Sequence, residues 1–152
     1  MNVSNQDSEF MLQALQLARQ AEEAGEVPVG AVVVHEGQII GRGSNAPISE
    51  TDPTAHAEVE ALREAARLVG NYRLPEATLY VTLEPCPMCA GAMVHARVNR
   101  LVYGCADPRS GAAGSVFDIT DSDKLNHRLE VCGGVLESQC RELLQGFFRA
   151  RR

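Results

Sequence analysis

The chain has 152 residues, of which 45% are hydrophobic and 22% charged, with a formal net charge of −6. That balance predicts a single globular domain over residues 1–152 with a full core, and it excludes disorder as the main state. No apolar run approaches the roughly 18 residues of a membrane helix, so no membrane partner is expected.

The acidic total argues against a nucleic-acid partner for the body of the chain. The last twelve residues differ: Arg141, Arg149, Arg151 and Arg152 face only Glu142, a basic tail able to hold phosphates locally or simply to suit a helix C-terminus. Residues 1–9 are polar, with no basic region leading into an apolar stretch, so no secretory signal is expected. Five cysteines, two of them in a C-x-x-C, then favour a reducing cytoplasm with a metal or redox site over a disulfide framework.

In chain order, a helix is predicted from Ser8, because Phe10, Met11, Ala14, Leu15, Ala18 and Ala21 recur at helical spacing and Gly25 closes the run. Residues 27–35 are β-branched, Glu36-Gly37 is a turn signal, and 38–41 returns, which together read as a hairpin. Residues 44–53 read as a loop, and 54–69 as a helix capped by Asp52 or Thr54 and stopped by Gly70. A strand is predicted at 77–83, a helix at 86–97, a strand at 100–105, a loop at 107–115, a short strand at 129–135 and a basic C-terminal helix at about 138–152. This order implies an α/β fold, a mixed sheet with helices on both faces.

Two segments carry chemistry. His56-Ala57-Glu58 opens one long helix, and Pro85-Cys86-Pro87-Met88-Cys89 opens the next after a strand. Zinc takes thiolate and imidazole ligands tetrahedrally, and a catalytic site keeps three protein ligands and an open position. His56, Cys86 and Cys89 supply three, with both cysteines at a helix N-terminus that favours thiolate. Glu58 lies about 200° around a regular helix from His56, so both reach one centre only if the helix points its N-terminal end at it. The inferred geometry is two helix N-termini converging on one metal, with Glu58 beside it as proton carrier. Two thiolates leave the ion formally neutral and a weaker acidifier of water than a three-imidazole site, which gives a neighbouring carboxylate its task.

A lone H-x-E is weak evidence. A lone C-x-x-C also fits a thiol-disulfide oxidoreductase. Cys105, Cys132 and Cys140, with His35, His95 and His127, read as structural. Together, H-A-E followed 28 residues later by P-C-x-x-C matches the zinc nucleobase deaminase pattern.

The chain resembles the bacterial tRNA-specific adenosine deaminases. The resemblance is carried by Glu26-Val27-Pro28-Val29-Gly30-Ala31-Val32, by Asp52-Pro53-Thr54-Ala55-His56-Ala57-Glu58 and by Asn71-Tyr72-Arg73-Leu74. It continues through residues 77–93, Gly111-Ala112-Ala113-Gly114-Ser115, Asn126-His127-Arg128 and the tail 147–152. It implies a three-layer α/β/α cytidine-deaminase-like fold on a mixed five-stranded sheet, a homodimer, and one Zn²⁺ per subunit on His56, Cys86 and Cys89. It implies that Glu58 shuttles protons as the wobble adenosine of a tRNA anticodon stem-loop becomes inosine and ammonia leaves, with no nucleotide cofactor. Asn45, Ala57, Leu83 and Asp107 match positions near the flipped nucleotide, and Phe148, Arg149 and Arg152 match the anticodon-contacting tail. Three alternatives remain open: a deaminase of a free nucleobase or nucleoside such as guanine or cytidine, the oxidoreductase, and a catalytically silent RNA-binding module.

Overall fold

The structure, a computed structural model, describes residues 4–151. The elements follow in the order α1 (Asn5–Glu23), β1 (Gly30–His35), β2 (Gln38–Ser44), α2 (Pro47–Glu50), α3 (Ala57–Val69), β3 (Thr78–Leu83), α4 (Pro87–Ala96), β4 (Arg100–Cys105), β5 (Glu130–Gly133) and α5 (Glu137–Arg149). The five strands form one mixed sheet in the order β2-β1-β3-β4-β5. β1 runs antiparallel to both β2 and β3, whereas β3, β4 and β5 are parallel. Helix α1 touches α5, and α3 touches α4. The two pairs sandwich the sheet as the three-layer α/β/α fold that the resemblance implies.

The boundaries depart from the sequence reading in ways that local chemistry explains. α1 begins at Asn5, not Ser8, because Ser4 and Asp7 form a capping box. The Ser4 hydroxyl accepts from the Asp7 N–H and the Asp7 carboxylate from the Ser4 N–H, each at 3.1 Å. β1 starts at Gly30, not at 27, because Pro28 has no N–H to give a ladder. β2 runs on to Ser44, where a loop was predicted. Gly41 and Gly43 do not break it, since a Cβ at either would collide with an α3 backbone carbonyl, of Ala61 and Ala57 respectively. Those glycines let helix and strand touch. α3 begins at Ala57 with His56 as its N-cap, three residues later than predicted. Asp52 instead accepts from the N–H and hydroxyl of Thr54, both at 2.8 Å, closing a turn of its own.

A buried polar network ties α1 to the sheet. Asp7, 1% exposed, accepts from the Tyr80 hydroxyl at 2.7 Å and from two Arg100 nitrogens at 2.8 and 2.9 Å. Arg100 also pairs with Glu130 at 3.0 Å, which joins β4 to β5. The Arg100 hydrogen bond holds the Asp7 carboxyl down to about 2, against burial. Asp7→Ala is expected to cost about 2–4 kcal/mol in urea denaturation, because it removes two charge-assisted hydrogen bonds from the half-buried Arg100 guanidinium, which keeps Glu130, and removes a cap. The folded value lies below that of an unfolded aspartate. The wild-type advantage is therefore complete above about pH 5 and is lost as pH falls toward about 2. A pH-independent difference between the two proteins would contradict this.

The pairing register decides where the site must be. Gly30 of β1 lies opposite Ser44 of β2, Ala31 opposite Val81 of β3, and Leu83 opposite Cys105 of β4. The start of β1 and the ends of β2, β3 and β4 thus share one edge of the sheet. The segments leaving that edge carry Asn45, the α3 N-terminus, the α4 N-terminus and Asp107. Clefts beyond the carboxyl ends of parallel strands are where α/β sheets bind ligands.

Candidate metal centre and active site

His56 is the N-cap of α3 and Cys86 the N-cap of α4, with Cys89 in the first turn of α4. His56 makes no capping bond to its own helix, and the Cys86 sulfur sits against the Cys89 thiol and N–H. Both turn inward, so two helix N-termini converge as inferred. His56 Nδ1 lies 3.6 Å from Cys86 Sγ and 3.4 Å from Cys89 Sγ. A tetrahedral zinc with its usual bond lengths places imidazole nitrogen and thiolate sulfur about 3.6 Å apart. The triangle therefore has the size of one face of such a site, and the three residues form a group able to hold a metal ion. No fourth His, Cys, Asp or Glu belongs to the group among the described residues.

The three donors share protons closely. Donation from Cys89 pulls the Cys86 thiol down to about 4 against burial, with help from His56 and the Cys89 N–H. The same hydrogen bond drives the Cys89 thiol up. Cys86 thus carries the first negative charge of the site, which in turn raises His56. All five cysteines are free thiols, with Cys89, Cys105, Cys132 and Cys140 buried.

Glu58 sits in the first turn of α3, only 4% exposed. Burial pushes its carboxyl up to about 7, and the group hydrogen-bonds with the Cys89 thiol. The structure therefore brings Glu58 to the metal triangle, although it is two residues from His56. Ala57 is the buried first residue of α3, and Leu83 is the half-buried last residue of β3.

The remaining expected residues fall into two groups. Asn45 and Asp107 are half-buried on the loops leaving β2 and β4. Asn45 commits its side-chain amide to the segment before β1, and Asp107 its carboxylate to its own loop. The Asn45 side-chain amide donates to the Val27 carbonyl at 3.3 Å. The Asp107 carboxylate accepts from Arg109 N–H at 2.9 Å and from the Ser110 N–H and hydroxyl at 3.3 and 3.1 Å. Phe148 and Arg149 are exposed at the end of α5, whereas Phe147 is buried. Arg152 lies outside the described residues. Arg151 stacks its guanidinium 3.5 Å from the Phe147 ring centre and donates to the Phe147 carbonyl, serving the helix end. No described helix is long and apolar enough to cross a membrane.

Two buried carboxylates were not singled out from the sequence. Glu26 accepts from the Ser49 N–H at 2.6 Å, the Ser49 hydroxyl at 2.7 Å and the Ile48 N–H at 3.3 Å, anchoring α2 beside Asn45. Burial raises its pKa, but these bonds outweigh that and leave it lowered. Glu84, between β3 and Cys86, accepts only from the loop that follows β4. The available signal was an acid in an otherwise apolar strand end, as in Thr82-Leu83-Glu84-Pro85-Cys86.

Comparison with known proteins agrees with this geometry. A family model described as MafB19-like deaminase matches residues 5–152. The tRNA-specific adenosine deaminase of Haemophilus influenzae is 54% identical over 147 residues, covering 96% of this chain and 85% of the relative. That of Bacillus subtilis is 48% identical, covering 97% and 91%. A solved structure from work on A-to-I editing by tRNA deaminases at the wobble position of transfer RNA superposes with a TM-score of 0.87. It is 45% identical, covering 90% of this chain and 99% of that one. By shared sequence along almost its whole length and by shared fold, the chain belongs to the tRNA-specific adenosine deaminase family.

Proposed function

We propose that the protein converts the wobble adenosine of a tRNA anticodon loop to inosine by hydrolysis, releasing ammonia, as a cytoplasmic homodimer of single-domain subunits. The observation that carries this reading is the His56–Cys86–Cys89 triangle with a buried carboxyl, Glu58, against it. One Zn²⁺ per subunit would be held by those three side chains. When bound, the ion supplies the Lewis acidity that makes water a nucleophile at neutral pH.

The chain's own residues supply the rest. As water attacks the ring carbon bearing the amine, Glu58 accepts one of its protons and passes it to the ring nitrogen. It then takes the second from the new hydroxyl and delivers it to the departing amine as the C=O forms and the C–N bond breaks. Water is consumed and ammonia released, so the exchange balances without a nucleotide cofactor. A base stacked in a helix cannot enter a site at the foot of two helices. A loop base can be splayed out at little cost, which suits an anticodon loop. Asn45, Ala57, Leu83 and Asp107 would line the path of that base, while Phe148, Arg149 and Arg152 would grip the flanking backbone.

The test is ammonia release from an anticodon stem-loop with adenosine at the wobble position, run beside free adenosine, cytidine and guanine. The proposal expects turnover of the stem-loop alone. Turnover of a free base or nucleoside with no reaction on the stem-loop would favour the small-molecule reading.

The tail gives a second prediction. Phe148→Ala with Arg149→Ala should weaken stem-loop binding and lower its salt slope by roughly one, one phosphate contact being lost. Metal content should stay stoichiometric. Deletion from residue 147 is the poorer test because Phe147 is buried. A salt titration superimposable on that of the wild type would refute the assignment.

A further inference from the structure

Glu84 stands two residues before Cys86 and is only 2% exposed. Its carboxylate accepts from the N–H groups of Asp107 at 3.0 Å, Ala113 at 3.0 Å and Ser115 at 3.1 Å, and from the Ser115 hydroxyl. Every donor belongs to the loop that leaves β4. A Cβ at Gly111 would land on the same carboxyl group, so Gly111 makes the room that Glu84 fills. Two backbone bonds bracket the contact: Glu84 N–H to the Cys105 carbonyl at 2.9 Å, and Ala112 N–H to the Pro85 carbonyl at 2.8 Å. The loop is therefore wrapped around the residues that lead directly into the metal ligand Cys86. The Gly111-Ala112-Ala113-Gly114-Ser115 stretch, which the mechanism leaves without a task, is the receptor for this one side chain.

A buried carboxylate with no cation among these partners costs desolvation energy, which its four donors offset. An apolar residue would fill the space without that cost. What the carboxylate adds is a fixed distance between two parts of the site. We propose that Glu84 is a positioning residue that locks the 107–115 loop, and with it Asp107, onto the α4 metal-ligand segment, so that the nucleotide-binding wall is set before substrate arrives. In its consequence for binding, this inference rests on the reading that the loop faces the nucleotide.

The experiment uses the zinc-loaded full chain and Glu84→Gln. A glutamine has one accepting atom, and whichever way it is turned its NH₂ faces at least one backbone N–H, which cannot accept. Stoichiometric zinc and a kcat near that of the wild type are expected, with KM for the anticodon stem-loop raised about tenfold or more. Amide exchange at Asp107, Ala113 and Ser115 should accelerate by a similar factor. Gly111→Ala, which displaces the loop from the same carboxyl, should reproduce the KM rise. Combined with Glu84→Gln it should add little, because both act through one contact. The exchange measurement needs no substrate, so it separates this inference from the proposed reaction. Fast loop exchange with an inactive wild-type enzyme would sink the reaction and leave the lock standing. Unchanged exchange and unchanged KM in both variants, or loss of zinc as the primary defect in Glu84→Gln, would overturn the lock. If Glu84→Gln does not fold, Gly111→Ala and Ser115→Ala carry the same readouts.

Discussion

Glu58→Gln is expected to keep its full complement of metal while inosine formation falls by about 10²–10⁴-fold, the usual contribution of a positioned proton carrier. The substitution preserves volume in a nearly closed space. It removes only the capacity to take up and release a proton. His56, Cys86 and Cys89 form the group able to hold a metal ion, and Glu58 is outside it. Metal content and turnover should therefore separate in this variant. The carboxyl is well placed for the work: it lies in the first turn of α3, contacts the Cys89 thiol, and is pushed up to about 7 by burial. Full turnover in the glutamine variant with stoichiometric metal would remove Glu58 from the mechanism.

Cys89→Ala should have the opposite signature. Metal content should fall well below one per subunit and deamination to background. Excess zinc should no longer raise the melting temperature. For the wild type, a ligand present at about 1,000 times its dissociation constant contributes about 4 kcal/mol to stability, and the variant should lose most of that. The variant also loses one buried sulfur and its bonds to Cys86 and Glu58, so the apo variant should melt a few degrees below the apo wild type, apart from the lost zinc response. The same measurement addresses the oxidoreductase reading. A wild-type protein that purifies without metal and cycles a Cys86–Cys89 disulfide would support redox chemistry, whereas a metal-dependent melting shift lost in Cys89→Ala would not.

The chemical centre was legible because its parts sit in short motifs whose spacing is set by single turns of helix. His56 and Glu58 could be assigned to one centre without knowing the fold, since only an end-on helix reconciles a two-residue spacing with a shared target. β4 lies where its apolar run placed it, at Arg100–Cys105, because both neighbours in the sheet bury it. Errors arose where a side chain answers to a distant partner. The α1 start was placed late because its first turn is polar, and only the Ser4–Asp7 cap marks it. β2 was ended at Gly41 because the α3 residues packed on Gly41 and Gly43, Ala61 and Ala57, are 20 and 14 residues downstream. Glu84 was invisible as a structural device because its donors are 23–31 residues away, in a loop that reads as ordinary turn sequence.

The tail was only half legible. Charge alone could not separate a helix end from an RNA contact. The structure commits Arg151 to Phe147 and leaves Phe148 and Arg149 exposed.

The most direct measurement is to incubate the zinc-loaded protein with deacylated cellular tRNA and sequence the product for adenosine read as guanosine. The account predicts that change at the first anticodon position and nowhere else in the same molecules. Unaltered wobble adenosines, under conditions where the same preparation deaminates free guanine or cytidine, would contradict it.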